Sequence, residues 1–202
     1  MEERKRILSE YYSINDEDIR LDKDNAHRVE FITTVKYIDE YLIEGDKILE
    51  VGAGTGRYSL YYADKGYDVT AIEYVGHNVD ILKSKIKDDM NIVAMEGDAL
   101  DLSRFSDNTF DMTLVLGPLY HLYTKEDREK AISEAIRVTK KNGYIYLAYL
   151  TSDSIFVSYC LKKHHLLDKD LWDDKYKMLN KPEEIFSSFY ISEFKDMMKK
   201  YD

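Results

Sequence analysis

The residues best suited to chemistry form one short run, Glu50-Val51-Gly52-Ala53-Gly54-Thr55-Gly56, between an apolar segment and a helical one. Glycines carry no Cβ, so the backbone there can approach a ligand closely. A helix that starts at such a turn presents free amide hydrogens and the positive end of its dipole. In a dinucleotide site this arrangement cradles pyrophosphate with the spacing G-x-G-x-x-G. Here the third glycine comes one residue early, and Arg57 stands where that motif needs glycine. Taken alone, the run also reads as a tight strand-to-helix turn. Two more acids change its weight. Glu73 closes the next apolar run, about twenty residues on, where a carboxylate can accept from two ribose hydroxyls. Asp98, in Glu96-Gly97-Asp98-Ala99, follows the third run and can accept from an exocyclic amine. Each acid by itself suits a solvated loop. Together with the glycine run, the acids mark the carboxyl ends of adjacent strands, where open α/β sheets bind ligands.

Positioning these residues requires alternating helices and strands from about residue 25 to 149. Asp24 or Asn25 caps a helix on which Val29, Ile32, Val35, Ile38 and Tyr41-Leu42 recur, with Gly45 ending the turn after it. Ile48-Leu49-Glu50-Val51 reads as a buried strand, and Tyr58, Leu60, Tyr61 and Ala63 as a helix closed at Gly66. A second strand follows at 69–73, then a helix on Val75, Val79, Leu82 and Ile86, a third strand at 91–95, and a fourth at 110–116 broken by Gly117-Pro118. Thr124 and Asp127 form a capping-box-like pair ahead of Ala131, Ile132, Ala135, Ile136 and Val138, and Asn142-Gly143 turns the chain into a fifth strand at 144–149. Near-continuous apolar strands separated by helices imply a parallel sheet covered on both faces, an α/β doubly wound architecture. Residues 150–202 are charged and aromatic; helices are expected over 155–166 and over 192–201, the latter with Phe194, Met197 and Met198 on one face.

At this point the chain resembles the class I S-adenosylmethionine-dependent methyltransferases. The run 48–56 is similar to their first motif, Ile72-Glu73 to the second, Gly97-Asp98-Ala99 to the third and 110–116 to the fourth. Gly117-Pro118-Leu119-Tyr120-His121-Leu122, Gly56-Arg57-Tyr58-Ser59 and the segment 137–143 resemble a bacterial small-molecule branch of that superfamily. The resemblance covers about residues 25–150 and implies a Rossmann-like sheet in the order 3-2-1-4-5. It also implies S-adenosyl-L-methionine as cofactor. Gly52, Ala53, Gly54 and Gly56 would wrap its methionine half and ribose, and Glu50 would hold the amino group. Glu73 would take the ribose hydroxyls, Asp98 and the backbone of Ala99 the adenine, and Leu116 would line the methionine side. A sulfonium and an ammonium suit a pocket lined with carboxylates.

Methyl transfer from a sulfonium is a direct displacement with a neutral leaving group, so it needs alignment more than acid–base help. A base is required only where the acceptor must lose a proton early, and the candidates are His121 with Tyr120 and Tyr123 beside it. The other reading of His121 is a loop histidine that packs or caps. His164-His165 has no cysteine neighbour and points two ways from a helix, so no metal site is expected. Lys162-Lys163 and Lys199-Lys200 read as surface charge, and residues 2–6 as a helical or frayed end. Among 18 tyrosines, Tyr11, Tyr12, Tyr61, Tyr62, Tyr144, Tyr146 and Tyr149 either line an aromatic cavity or serve as core and surface rings, the second being expected.

Composition narrows the function. The 202 residues suit a single domain, 25–150 as its cofactor-binding core, with 1–24 and 150–190 as segments covering the substrate. Thirty-nine acids against 29 bases give a net charge of −10, which disfavours a nucleic-acid partner and favours a small-molecule substrate. The single cysteine, Cys160, forms no internal disulfide. The charged N-terminus lacks a signal-peptide core and no apolar run reaches the roughly 18 residues of a membrane span, so a cytoplasmic protein without membrane partner is expected. Only two prolines, Pro118 and Pro182, occur, and no linker marks a boundary. The family's sheet continues into a hairpin of two more strands, whereas here the sequence stops at Asp202, after the helix expected at 192–201. The expectation is a sheet lacking that hairpin, in a truncated gene product or with the edge supplied by another chain, and hence a homo-oligomer through the fifth strand. The alternative functions are a non-catalytic S-adenosylmethionine-binding sensor or scaffold, and a nicotinamide dehydrogenase, the latter disfavoured by the glycine spacing.

Overall fold

The computed structural model describes residues 2–14, 18, 20, 23–162, 164–165, 167–175, 177–181 and 185–201. Its centre is a five-stranded parallel sheet in the order β3-β2-β1-β4-β5, the order that the family resemblance implies. The strands are β1 (Lys47–Val51), β2 (Asp68–Glu73), β3 (Ile92–Glu96), β4 (Phe110–Val115) and β5 (Thr139–Leu147). Ile48, Leu49, Val69, Ile72, Met112 and Leu114 are almost wholly buried, because helices cover both faces. Burying each such side chain contributes about 1.5–3 kcal/mol. The covering helices are α2 (Asn25–Asp39), α3 (Arg57–Asp64), α4 (Gly76–Ser84) and α5 (Lys125–Val138), with α1 (Glu2–Ile14) ahead of them. The switch in strand order falls between β1 and β4, which opens a crevice at their carboxyl ends.

Capping follows the sequence. The Asp24 carboxylate accepts from His27 N–H at the start of α2, and Thr124 Oγ1 accepts from Asp127 N–H at the start of α5. The buried stripe of α2 differs from the one its spacing suggests. Val29 and Ile32 are 60% and 62% exposed, while Phe31, Val35, Ile38 and Leu42 pack inward. Val35 and Ile38, in the second half of α2, are its buried residues, while His27, Glu30 and Thr34 border the crevice.

The fifth strand starts five residues earlier than expected, directly after α5. Thr139 pairs with Phe110, residues 140–143 bulge out, and pairing resumes at Tyr144 with Met112. The expected turn survives inside this bulge. Asn142 is left-handed, and a Cβ on Gly143 would meet the Asp111 carbonyl oxygen at 2.6 Å.

Beyond β5, the two-residue strands β6 (Leu150–Thr151) and β7 (Ser188–Phe189) pair in parallel as a separate small sheet. Thr151 caps α6 (Ser152–Phe156), which continues as a π-helical stretch to Lys162. The helix expected over 155–166 thus begins earlier, and Leu166, Lys163 and Pro182 lie outside the described residues. Helix α7 (Ile191–Met198) buries Met197 and lays Phe194 and Met198 against the core, as its spacing predicts. β5 is the edge of its sheet; the Tyr41 ring packs on Tyr144 within it, and just beyond it Tyr149 stacks on Phe194 of α7 at 4.1 Å. Among the described residues, no helix is long and apolar enough to cross a membrane.

Candidate active site

A cavity of about 650 Å³ lies over the carboxyl ends of β1, β2, β3 and β4, within the range of roughly 300–1,000 Å³ typical of ligand sites. Every residue singled out from the sequence as cofactor-binding lines it except Gly56: Glu50, Gly52, Ala53, Gly54, Glu73, Asp98, Ala99 and Leu116. His121 and Tyr120 line it too. Gly56 instead starts α3 in the left-handed region at φ 91°, where a Cβ would fall 2.1 Å from Leu82 Cδ1. It serves helix–helix packing and shapes the loop from behind.

The loop leaves β1 through Gly52, at φ 76°, with its N–H bonded to the Ile72 carbonyl at 2.8 Å. A Cβ here would meet Pro118 Cδ at 2.6 Å, so the glycine loop and the Gly117-Pro118 wall touch where only hydrogen fits. Gly52→Ala is therefore expected to cost about 1–3 kcal/mol in urea unfolding, from the left-handed backbone and the clash together. An unchanged midpoint would show that the wall moves freely.

Glu73 is buried and already at work. Oε2 accepts from Gly54 N–H at 2.9 Å and Oε1 from Val75 N–H at 2.9 Å, with Asn78 Nδ2 at 3.5 Å. One carboxylate thereby ties the glycine loop to the start of α4 while still bordering the cavity. Glu50, at the end of β1, is buried against the Ser59 hydroxyl, which donates to Oε2. Burial pushes its carboxyl up to about 8, with the Glu73 charge adding to the effect, so Glu50 is protonated near neutrality. An ammonium beside it would reverse that balance.

His121 ends the 3₁₀ turn Pro118–His121 and is buried. Its Nδ1 lies 2.8 Å from the Ile185 carbonyl, which can only accept, so Nδ1 carries the hydrogen. Nε2, 2.9 Å from the Tyr12 hydroxyl, is then the acceptor. Desolvation lowers the imidazole to about 4, the Ile185 bond opposing it, so the ring is neutral. Tyr120 also faces the cavity, with its ring 6.3 Å from that of His121. Tyr123 donates to the Ile185 carbonyl at 3.2 Å and braces the same turn.

Arg4, Leu8 and Phe186 were not singled out from the sequence, and Tyr11 and Tyr12 were expected to be core or surface rings rather than the cavity lining they prove to be. α1 brings Arg4, Leu8, Tyr11 and Tyr12 to the cavity, and the end of the crossover leading into β7 brings Phe186. Ser187 fixes that segment, its one hydroxyl hydrogen shared between the carbonyls of Leu119 and Leu122 at 3.1 and 3.0 Å. Tyr11 and Tyr12 thus line the cavity, whereas Tyr62 is fully buried in the core and Tyr144 is exposed at the sheet edge. A signal existed: Arg4, Leu8, Tyr11 and Tyr12 share one helical face at four- and seven-residue spacing. Asp98, which borders the cavity, already has partners on both oxygens. Its Oδ1 accepts from Leu100 N–H at 3.0 Å, and its Oδ2 accepts from Arg4 Nη2 at 2.6 Å. Among the described residues, no group of three or more histidines, cysteines and acids could hold a metal.

The sheet order and the cavity at its switch point are those of the Rossmann-like methyltransferase fold. Residues 49–147 match the methyltransferase domain family. The chain is 35% identical over 106 residues to the demethylmenaquinone methyltransferase of Renibacterium salmoninarum, a match covering 52% of this chain and 42% of that one. It thus spans about two fifths of that relative's length. The crystal structure of an S-adenosylmethionine-dependent methyltransferase from Methanosarcina mazei superposes with a TM-score of 0.63 at 23% identity, over 81% of this chain and 82% of that one. The PH0226 protein of Pyrococcus horikoshii superposes at 0.69 with 19% identity, over 95% and 88%. Over residues 49–147 the chain is thus similar to methyltransferase domains, and S-adenosylmethionine, for which the Methanosarcina mazei protein is named, is the cofactor to set against the cavity. The cavity fits that group. It has a glycine cradle that a Cβ would fill and buried carboxyls for cationic and hydroxyl partners.

Proposed function

We propose that this protein transfers a methyl group from S-adenosylmethionine to a small-molecule acceptor. One observation carries the reading: the glycine loop, Glu73 and Asp98 border the same cavity as the His121–Tyr12 pair. The cofactor supplies a methyl group activated on a sulfonium. Gly52, Ala53 and Gly54 hold its methionine half, Glu50 the ammonium, Glu73 the ribose, Asp98 and Ala99 the base, and Leu116 packs on the methionine side. α1 and Phe186 exclude water from the opposite side, which strengthens each polar contact inside.

The acceptor lies toward Tyr11, Tyr12, His121, Ile155, Tyr159 and Phe186, a largely aromatic and apolar wall that suits a ring compound. The likeness to a demethylmenaquinone methyltransferase supports a ring acceptor of that kind. His121 Nε2 takes the acceptor's proton through the Tyr12 hydroxyl, and the Ile185 carbonyl steadies the imidazolium that forms. Tyr120 helps to orient the acceptor. A cytoplasmic protein with no nucleic-acid partner, and pairing of a second copy along the β5 edge, belong to the same proposal.

Transfer of tritium from methyl-labelled S-adenosylmethionine across a panel of hydroxylated and amino-bearing ring metabolites tests the function. Incorporation into at least one of them is expected. No incorporation into any, with cofactor binding intact, would favour a binding-only protein. On a transferring acceptor, Tyr12→Phe should lower kcat about 10–100-fold with little change in KM. A wild-type kcat in that variant would remove the pair from the chemistry.

A further inference from the structure

The helix that closes the cavity also fills part of it. Arg4 Nη2 donates to Asp98 Oδ2 at 2.6 Å, and the Arg4 guanidinium carbon lies 4.7 Å from the centre of the Tyr74 ring. The Arg4 and Asp98 side chains are only 15% and 16% exposed, and Lys5 pairs with Glu96 next to them. One turn on, Leu8 is buried, and near the far end of α1 Tyr12 bonds to His121. Asp98 and Tyr74 therefore border a single gap, and a flat, N–H-bearing group already sits in it.

A guanidinium and an aminopurine edge make the same two demands. Each is planar and can lie on an aromatic face, and each offers N–H donors to a carboxylate. With Oδ1 taken by the Leu100 amide, Oδ2 is the oxygen that both would seek. We propose that Arg4 holds the place of adenine, so that cofactor and α1 compete for Asp98 and the Tyr74 face. This rests on the assignment of Asp98 to the adenine. Cofactor entry then requires the N-terminal end of α1 to let go. Because the same helix carries Tyr11 and Tyr12, occupancy of the adenine position is coupled to the wall of the acceptor space.

Calorimetric titration with S-adenosylhomocysteine tests the competition in the full chain. Arg4→Met keeps the apolar stem and removes the donors. It should bind about 3–30-fold more tightly than the parent, the fold-change expected from removing a partly buried competing pair. Equal or weaker binding by Arg4→Met overturns the proposal. In the unaltered protein, hydrogen exchange of the amides of residues 4–8 should speed up on adding S-adenosylhomocysteine; unchanged or slower exchange overturns it as well. Asp98→Asn in the Arg4→Met background, where no Arg4 pair is lost along with the carboxylate, separates the two layers. If the double variant binds as tightly as Arg4→Met alone, the adenine assignment itself is wrong and the competition falls with it. If it weakens binding while Arg4→Met has no effect, the assignment stands and only the competition fails.

Discussion

Glu73→Ala is expected to weaken S-adenosylhomocysteine binding by about 2–4 kcal/mol, or roughly 30- to 1,000-fold in Kd. Two losses combine. The first is the pair of charge-assisted bonds to the ribose, on the role proposed for this carboxylate. The second is internal: without it, Gly54 and Val75 lose the acceptor that both share across the crevice. Glu73→Gln keeps a single carbonyl oxygen and should fall between the two. Calorimetry of the three proteins gives the order directly, and equal affinities would place the ribose elsewhere. Melting of the apo proteins separates the two losses, since only the internal one lowers apo stability.

The second large effect is a pH dependence centred on Glu50. Its carboxyl is held at about 8 by burial, against an ordinary value of 4.5. Between these values the unfolded chain ionises at this position while the folded chain keeps its proton. Folding there takes up a proton, so this group's contribution to stability falls as pH rises from about 5 to 8, by at most about 1.4 kcal/mol per pH unit. Glu50→Gln keeps a hydrogen-bonding amide with no charge to bury. It is expected to melt above the parent at pH 8 and to match it near pH 4.5. Ligand binding runs the other way. An ammonium at Glu50 stabilises the carboxylate, so binding near pH 7 should release up to about one proton and tighten as pH rises toward 8. Titrations in buffers of different ionisation enthalpy count that proton. A pH-independent affinity, with no proton released, would move the ammonium away from Glu50.

The local order of the chain was plain in the sequence. Apolar runs of strand length, each followed by a helical pattern, define a doubly wound sheet because a parallel strand must be buried on both faces. Capping residues such as Asp24 and Thr124 act within three residues of themselves, so composition alone reveals them. The glycine run with Glu73 and Asp98 was legible for a related reason. Strand carboxyl ends in such a sheet come together by topology, so acids found there must share a crevice. Where periodicity misled, as with Val29 and Ile32, the pattern gave a helix but not which side of it meets the sheet.

What the sequence by itself determined is the scaffold and one wall of the site: the alternation of buried strands and helices, the glycine loop, and the carboxylates at the strand ends, with the strand order following from the family resemblance. What only the tertiary structure decided is what faces that wall. Arg4 reaches Asp98 across 94 positions and Tyr12 reaches His121 across 109, contacts for which the intervening residues hold no local signal. The state of the buried groups was decided there too. A glutamate and a histidine have ordinary acidities in any peptide, and only packing that strips their water away keeps the glutamate protonated near neutrality and the histidine uncharged well into the acid range. Local hydrogen bonding and periodic burial act along the chain and leave their mark in sequence, whereas desolvation depends on which distant segments close over a side chain.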